Sequence, residues 1–240
     1  MKQLYRKNEI LFAIVWIVIY VVGAGVADGL SESIGIKGSI TTGFLLALSL
    51  FALRFIHRQR LYHHYGLCGP DAKASRFLYY VPLIIIVSSN FWFGVGMTMP
   101  LMDTIFTMAA MVLVGFVEEV IFRGFLFRAM EKEGVTMAIV VSSLTFGIGH
   151  IINLISGNLA LVPALCQVCY AAAAGFLFVI ILYRGGSLWP CVLTHSALNA
   201  LSVFSLEAAA GEGALILTSL IHCAIALGYA LVLMKTLPKK

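Results

Sequence analysis

The chain has 240 residues, of which 61% are hydrophobic and only 11% charged, with a net charge of +5. A mean hydropathy of +0.99 lies outside the range of ordinary soluble domains and inside that of polytopic membrane proteins. The basic excess calls for no nucleic-acid partner, because the lysines and arginines are spread over loops and ends rather than gathered on one soluble face.

Apolar runs long enough to cross a bilayer fall at 10–27, 39–56, 77–96, 104–127, 136–155, 160–182, 187–206 and 214–234. The expected fold is therefore all-α, a polytopic transmembrane bundle of about eight spans forming a single membrane-embedded domain over 1–240. Eight spans put both termini on one side. With that side cytoplasmic, every lysine and arginine except Lys37 lies in an inner segment, as the positive-inside rule requires.

Taken in order, the first span follows Lys2, Arg6 and Lys7 but has no Ala-x-Ala cleavage site, and it is too long for a signal-peptide core. It is expected to be retained. The longest loop, 57–76, holds His57, His63 and His64 ahead of a Gly69-Pro70-Asp71 turn. Spaced acid or thiolate ligands are missing there, so a solvated basic loop is expected rather than a metal site. Cys68, Cys166, Cys169, Cys191 and Cys223 form no disulfide framework, and Cys166-Gln-Val-Cys169 sits in a helical apolar run as small core residues. Asn90, Gln167 and His222 read as interhelical hydrogen-bonding groups. Pro82, Pro163 and Pro190 stand near helix starts, where a missing N–H costs little. No internal repeat suggests a two-halved transporter.

The fourth span contains Glu118, Glu119 and Arg123 in an otherwise apolar run from Met111 to Phe127. Each such charge at the middle of a bilayer costs about 2.5 to 3.5 kcal/mol, so three of them need pairing or a function. Glu119 and Arg123 are four apart and can meet on one helix face. Glu118, turned by about 100°, is left to look elsewhere. The fifth span adds Phe146-Gly-Ile-Gly-His150, and the seventh adds Thr194-His195-Ser-Ala-Leu-Asn199, where His195 and Asn199 share a face.

Counted from the cytoplasmic end of each span at the helical rise, Glu118, His150, His195 and Asn199 lie about 15, 21, 12 and 18 Å deep. Four polar groups in one layer predict a buried chamber. A carboxylate among apolar neighbours can take a proton from water and return it to a leaving group. His150 is placed to hold that water, and His195 with the Asn199 amide to donate hydrogen bonds to one oxygen, as a tetrahedral oxyanion demands. This is the chemistry of amide hydrolysis by activated water. Ser196 adjoins His195 but points about 100° away, and no Gly-x-Ser-x-Gly elbow occurs. Glu118, His150 and His195 also make a nitrogen and oxygen set that zinc accepts, although no His-Glu-x-x-His helix gathers them, so no cofactor is assigned and a divalent metal such as zinc stays open.

Glu118-Glu119-x-x-x-Arg123, Phe146-x-x-x-His150 and His195-x-x-x-Asn199, in that order on hydrophobic helices, resemble the CPBP (CAAX protease and bacteriocin-processing, or Abi) intramembrane proteases, which include the type II CAAX-prenyl endopeptidases. The resemblance covers about residues 104–205, and the run from Gly186 to Asn199 looks like the family's third motif. It implies Glu118 as activator of the catalytic water, His150 as its partner, and His195 with Asn199 as the oxyanion pair. Glu119 and Arg123 take supporting roles. It also implies a peptide or membrane-anchored protein as substrate and, with compact size and short loops, a bacterial cell membrane. The other reading is a non-catalytic bacteriocin-immunity or peptide-binding membrane protein using the same cavity. A small proton-coupled transporter is a third, which the missing repeats count against. The stretch before residue 100 is expected to supply topology alone, and the oligomeric state is not legible.

Overall fold

The computed structural model describes residues 1–238, and Lys239 and Lys240, two of the basic residues assigned to the inner side, lie outside them. Helix dominates the described residues, with one isolated bridge between Val95 and Ser205. The first helices are α1 (Lys2–Lys7), α2 (Glu9–Ser33) and α3 (Ser39–Gln59). The Asn8 side chain accepts from the Leu11 N–H at 2.8 Å and so caps the start of α2. A 3-10 segment (Ala74–Tyr80) and the eight-residue α4 (Val81–Ser88) follow, then α5 (Leu101–Glu119), which continues without a break through a π-helix (Val120–Phe127) into α6 (Arg128–Glu131). The remainder is α7 (Val135–Gly149), α8 (Ile152–Ile155), α9 (Leu161–Gly185), α10 (Trp189–Ser202) and α11 (Glu212–Thr236). Pro82 and Pro190 sit in the first turns of α4 and α10, where the sequence placed them.

Seven helical stretches among the described residues are long and apolar enough to cross a membrane, and the protein is a polytopic helical bundle. The expected span over 187–206 is not among them. It forms α10, whose 14 residues reach about 21 Å, short of a hydrocarbon core of about 30 Å. Its start is held where Leu188 donates to the Gly66 carbonyl at 2.7 Å. Its last turn gives way to an irregular stretch in which Gly96 donates to Phe204 and Leu206 to Gly94, at 2.9 and 3.1 Å. A short helix packed along α5 does not have to match bilayer thickness by itself, and its buried face, with His195 and Ser196, can place polar groups in the middle of the bundle.

Contacts at one end of the bundle gather segments remote in sequence. Lys132 bonds Glu9 at 2.7 Å, Asp71 donates its N–H to Gly185 at 2.8 Å, and Arg184 reaches the carbonyls of Met234 and Leu237, each at 3.2 Å. Helix α1 and the last turn of α11 therefore lie at the same end. Beneath this end, Phe12, Trp16, Phe55, Tyr65 and Phe125 form a buried aromatic cluster that clamps α2 and α3 onto the π-helix.

The approach that positions the site is between α5 and α10. A Cβ added at Gly115 would stand 2.5 Å from both the Ser196 nitrogen and its Oγ, so the two backbones touch. Ser196 locks the contact by donating from Oγ to the Val112 carbonyl at 2.8 Å. One turn beyond Gly115 on α5 come Glu118 and Glu119; beside Ser196 on α10 is His195.

Candidate active site

Glu119 and Arg123 meet as their four-residue spacing predicts, with NH1 3.1 Å from Oε1 and both side chains shut off from solvent. The Arg123 guanidinium lies 3.9 Å from the centre of the Phe146 ring, so a planar cation rests on an aromatic face away from bulk solvent. The helix carrying the pair changes from α to π at Val120, directly after the two carboxylates. A π segment widens the turn and is a recurrent feature of functional sites. Here all eight of its residues are buried, and the Phe122 carbonyl accepts from Ser142 Oγ at 2.8 Å, which ties the widened turn to α7.

His195 joins the two glutamates. Its Nδ1 is 2.8 Å from Glu119 Oε1 and its Nε2 is 3.5 Å from Glu118 Oε2. A carboxylate paired with Arg123 accepts rather than donates, so Nδ1 carries a proton and Nε2 is the nitrogen that faces Glu118. The other oxygen of Glu118 is also engaged: Tyr20 on α2 donates its hydroxyl to Oε1 at 2.6 Å. The stretch before residue 100, expected to supply topology only, thus contributes a direct partner to the first carboxylate. The only hint in the sequence was one phenol among the apolar residues of the first span, and nothing local marked its register toward Glu118.

His150 caps the C-terminus of α7. Its Nδ1 lies 3.1 Å from the Phe146 carbonyl, and since a carbonyl only accepts, Nδ1 donates and Nε2 is the free nitrogen. The Phe146 ring stands edge-on to both imidazoles, with centroids 5.0 Å from His150 and 5.6 Å from His195. Between them is a small chamber of about 30 Å³, lined among others by His150, Tyr170, His195, Asn199 and His222. That volume is about the share of one liquid water molecule. Three of the four groups placed in one layer by depth thus share a chamber, and Glu118 adjoins it through His195.

The remaining polar residues of the spans do what interhelical groups do. His222 Nε2 is 3.0 Å from Ser89 Oγ, Asn90 donates to the Leu198 carbonyl at 3.0 Å, and Asn153 donates to Gln167 at 2.7 Å. Among the described residues no disulfide joins the cysteines. Glu118, His150 and His195 are not drawn together as a ligand set: both nitrogens of His195 face carboxylates, and among the described residues no three of His, Cys, Asp and Glu stand together to hold a metal ion.

No curated protein matches the chain. A family described as type II CAAX prenyl endopeptidase Rce1-like matches residues 100–201, the stretch that carries the two glutamates, Arg123, both site histidines and Asn199. Over these residues, somewhat less than half of its length, the chain is similar to the CAAX prenyl endopeptidases, and its long apolar helices make it an integral membrane protein.

Proposed function

We propose that the protein is an intramembrane endopeptidase that hydrolyses a peptide bond of a membrane-associated peptide or protein with water activated by Glu118. The observation that supports this reading best is the His195 imidazole set between two carboxylates at the edge of a water-sized chamber. A water beside Glu118 and the free Nε2 of His150 loses its proton to the carboxylate as its oxygen attacks the peptide carbonyl. The oxyanion that forms accepts hydrogen bonds from the Asn199 amide and from the Nε2–H of His195 in its doubly protonated form, whose Nδ1–H Glu119 holds. Glu118 then returns the proton to the departing amine. Glu119 and Arg123 stay out of the reaction and keep the ring in place. In this reading Glu118, His150 and His195 act on the water and the substrate directly, with no metal between them.

The basic end of the bundle faces the cytoplasm in this reading, and the short loops fit a bacterial cell membrane. The test compares the termini of membrane proteins and secreted peptides, by mass spectrometry, in cells making wild type or Glu118→Gln. Termini found only with the wild type would identify substrates. Equal cleavage by Glu118→Gln would overturn the mechanism, and an immunity phenotype kept by that variant would favour a binding role. With purified protein in bilayers, a farnesylated CAAX peptide tests whether the family's named substrate class applies. Cleavage is expected to persist in EDTA; a loss restored by zinc would return Glu118, His150 and His195 to the role of ligands.

A further inference from the structure

Glu118 is held from two directions, by α10 and by α2. From α10, His195 Nε2 approaches Oε2 at 3.5 Å; from α2, the Tyr20 hydroxyl donates to Oε1 at 2.6 Å. Tyr20 is only 8% exposed and ends a stripe, Phe12, Trp16 and Tyr20, spaced four apart along one face of α2. The first two members are fixed by rings from other elements: Phe12 lies 5.0 Å and Trp16 5.2 Å from Phe125 of the π-helix, and Trp16 stacks on Phe51 at 5.5 Å. The stripe therefore sets the height and rotation of α2 against the widened turn that follows Glu118. A buried phenol needs a hydrogen-bond partner, and the carboxylate supplies it, so the two groups fix each other.

We infer that Tyr20 is a positioning residue for Glu118: its hydroxyl occupies Oε1 and fixes the carboxylate plane, leaving Oε2 as the oxygen that meets His195 and the reacting water. A single remaining basic oxygen, aimed at one place, is what general-base catalysis by a carboxylate needs. The inference rests on the proteolytic reading of the site, but its primary test does not.

Wild type, Tyr20→Phe and Trp16→Phe are reconstituted in lipid vesicles and treated with dicyclohexylcarbodiimide, an apolar reagent that modifies carboxyl groups at membrane depth, and labelling of Glu118 is followed by mass spectrometry. Tyr20→Phe keeps the ring and removes only the hydroxyl; Trp16→Phe disturbs the same stripe without touching Glu118. Labelling of Glu118 is expected to rise several-fold in Tyr20→Phe and to stay at the wild-type level in Trp16→Phe. Unchanged labelling in Tyr20→Phe, or an equal rise in both variants, would overturn the inference. On a peptide that the wild type cleaves, Tyr20→Phe is expected to lower kcat by about tenfold at unchanged KM, the signature of an interaction that matters in the transition state. A labelling rise with no peptide cleaved by the wild type would leave Tyr20 as the anchor of Glu118 and remove the proteolytic reading alone.

Discussion

Arg123 and Glu119 are both fully enclosed, so each carries the cost of leaving water and recovers it mainly from the other. Removing one strands its partner. Arg123→Ala is expected to lower stability by about 3 to 5 kcal/mol, read as a drop in thermal midpoint in detergent, because Glu119 would keep a buried charge. Arg123→Lys keeps the charge but loses the planar stack on Phe146, so a smaller drop is expected, and combining Arg123→Met with Glu119→Gln should recover part of the loss. The double variant is expected to stay inactive, since His195 Nδ1 would lose the carboxylate that orients it. Asn199 tests the other side of the chamber. If its amide is an oxyanion donor, Asn199→Ala should lower kcat by about 100- to 1,000-fold with little change in KM, whereas a purely structural amide would show its loss in thermal stability.

At the scale of elements, the site depends on how closely α5 and α10 lie. Gly115 has no room for a side chain, since even a Cβ would be 2.6 Å from the Ser196 Cα as well as against its nitrogen and hydroxyl. Gly115→Ala must push α10 away and carry His195 with it, at a cost of about 1 to 3 kcal/mol in strain. Activity is expected to fall more steeply than stability, because an ångström of displacement is enough to lose alignment. Gly43 on α3 offers the contrast. Nothing lies within 4 Å of a Cβ there, so Gly43→Ala should leave activity unchanged and favour the helix slightly. Gly175 on α9 belongs with Gly115, since a Cβ would sit 3.3 Å from the Arg123 guanidinium and 3.2 Å from the Ser143 Cα. Which helices these glycines join, and that Gly115 lies against the histidine helix and Gly175 against the ion pair, depends on their neighbours.

Across the whole molecule, charge is concentrated at the end where α1, α6, the loop after α3 and the end of α11 meet. His64 lies half-buried in that loop, and burial, with Arg128 and Lys132 nearby, holds its pKa below the ordinary 6.5 against the opposing pull of Glu9 and Glu131. The unfolded chain therefore binds a proton at His64 more readily than the folded one, so stability is expected to fall as pH drops through about 6.5. A thermal midpoint measured from pH 8 to 5 should fall less steeply in His64→Gln; an identical slope would show that other groups set it. The arrangement of this end also gives a topology test. If it faces the cytoplasm, cysteines introduced at Lys2 and Lys235 should both resist an impermeant maleimide in intact cells and react after lysis.

The sequence by itself determined the class of the protein, because composition, span-length apolar runs and the distribution of lysine and arginine are averages that need no partner to be read. It also singled out the candidate residues, since charge in an apolar helix is costly enough to stand out and the four-residue spacings of Glu119 with Arg123 and of His195 with Asn199 are local geometry. Tertiary structure decided the rest. An apolar run of crossing length at 187–206 became a 14-residue helix, since hydropathy measures burial and does not distinguish burial in lipid from burial in protein. The π turn after Glu119, the reach of Glu119 to His195 and the hydroxyl of Tyr20 on Glu118 all join residues that are far apart in the chain or depend on a change of helical register. Such contacts are set by how helices pack and rotate against one another, and a linear pattern holds no record of that rotation.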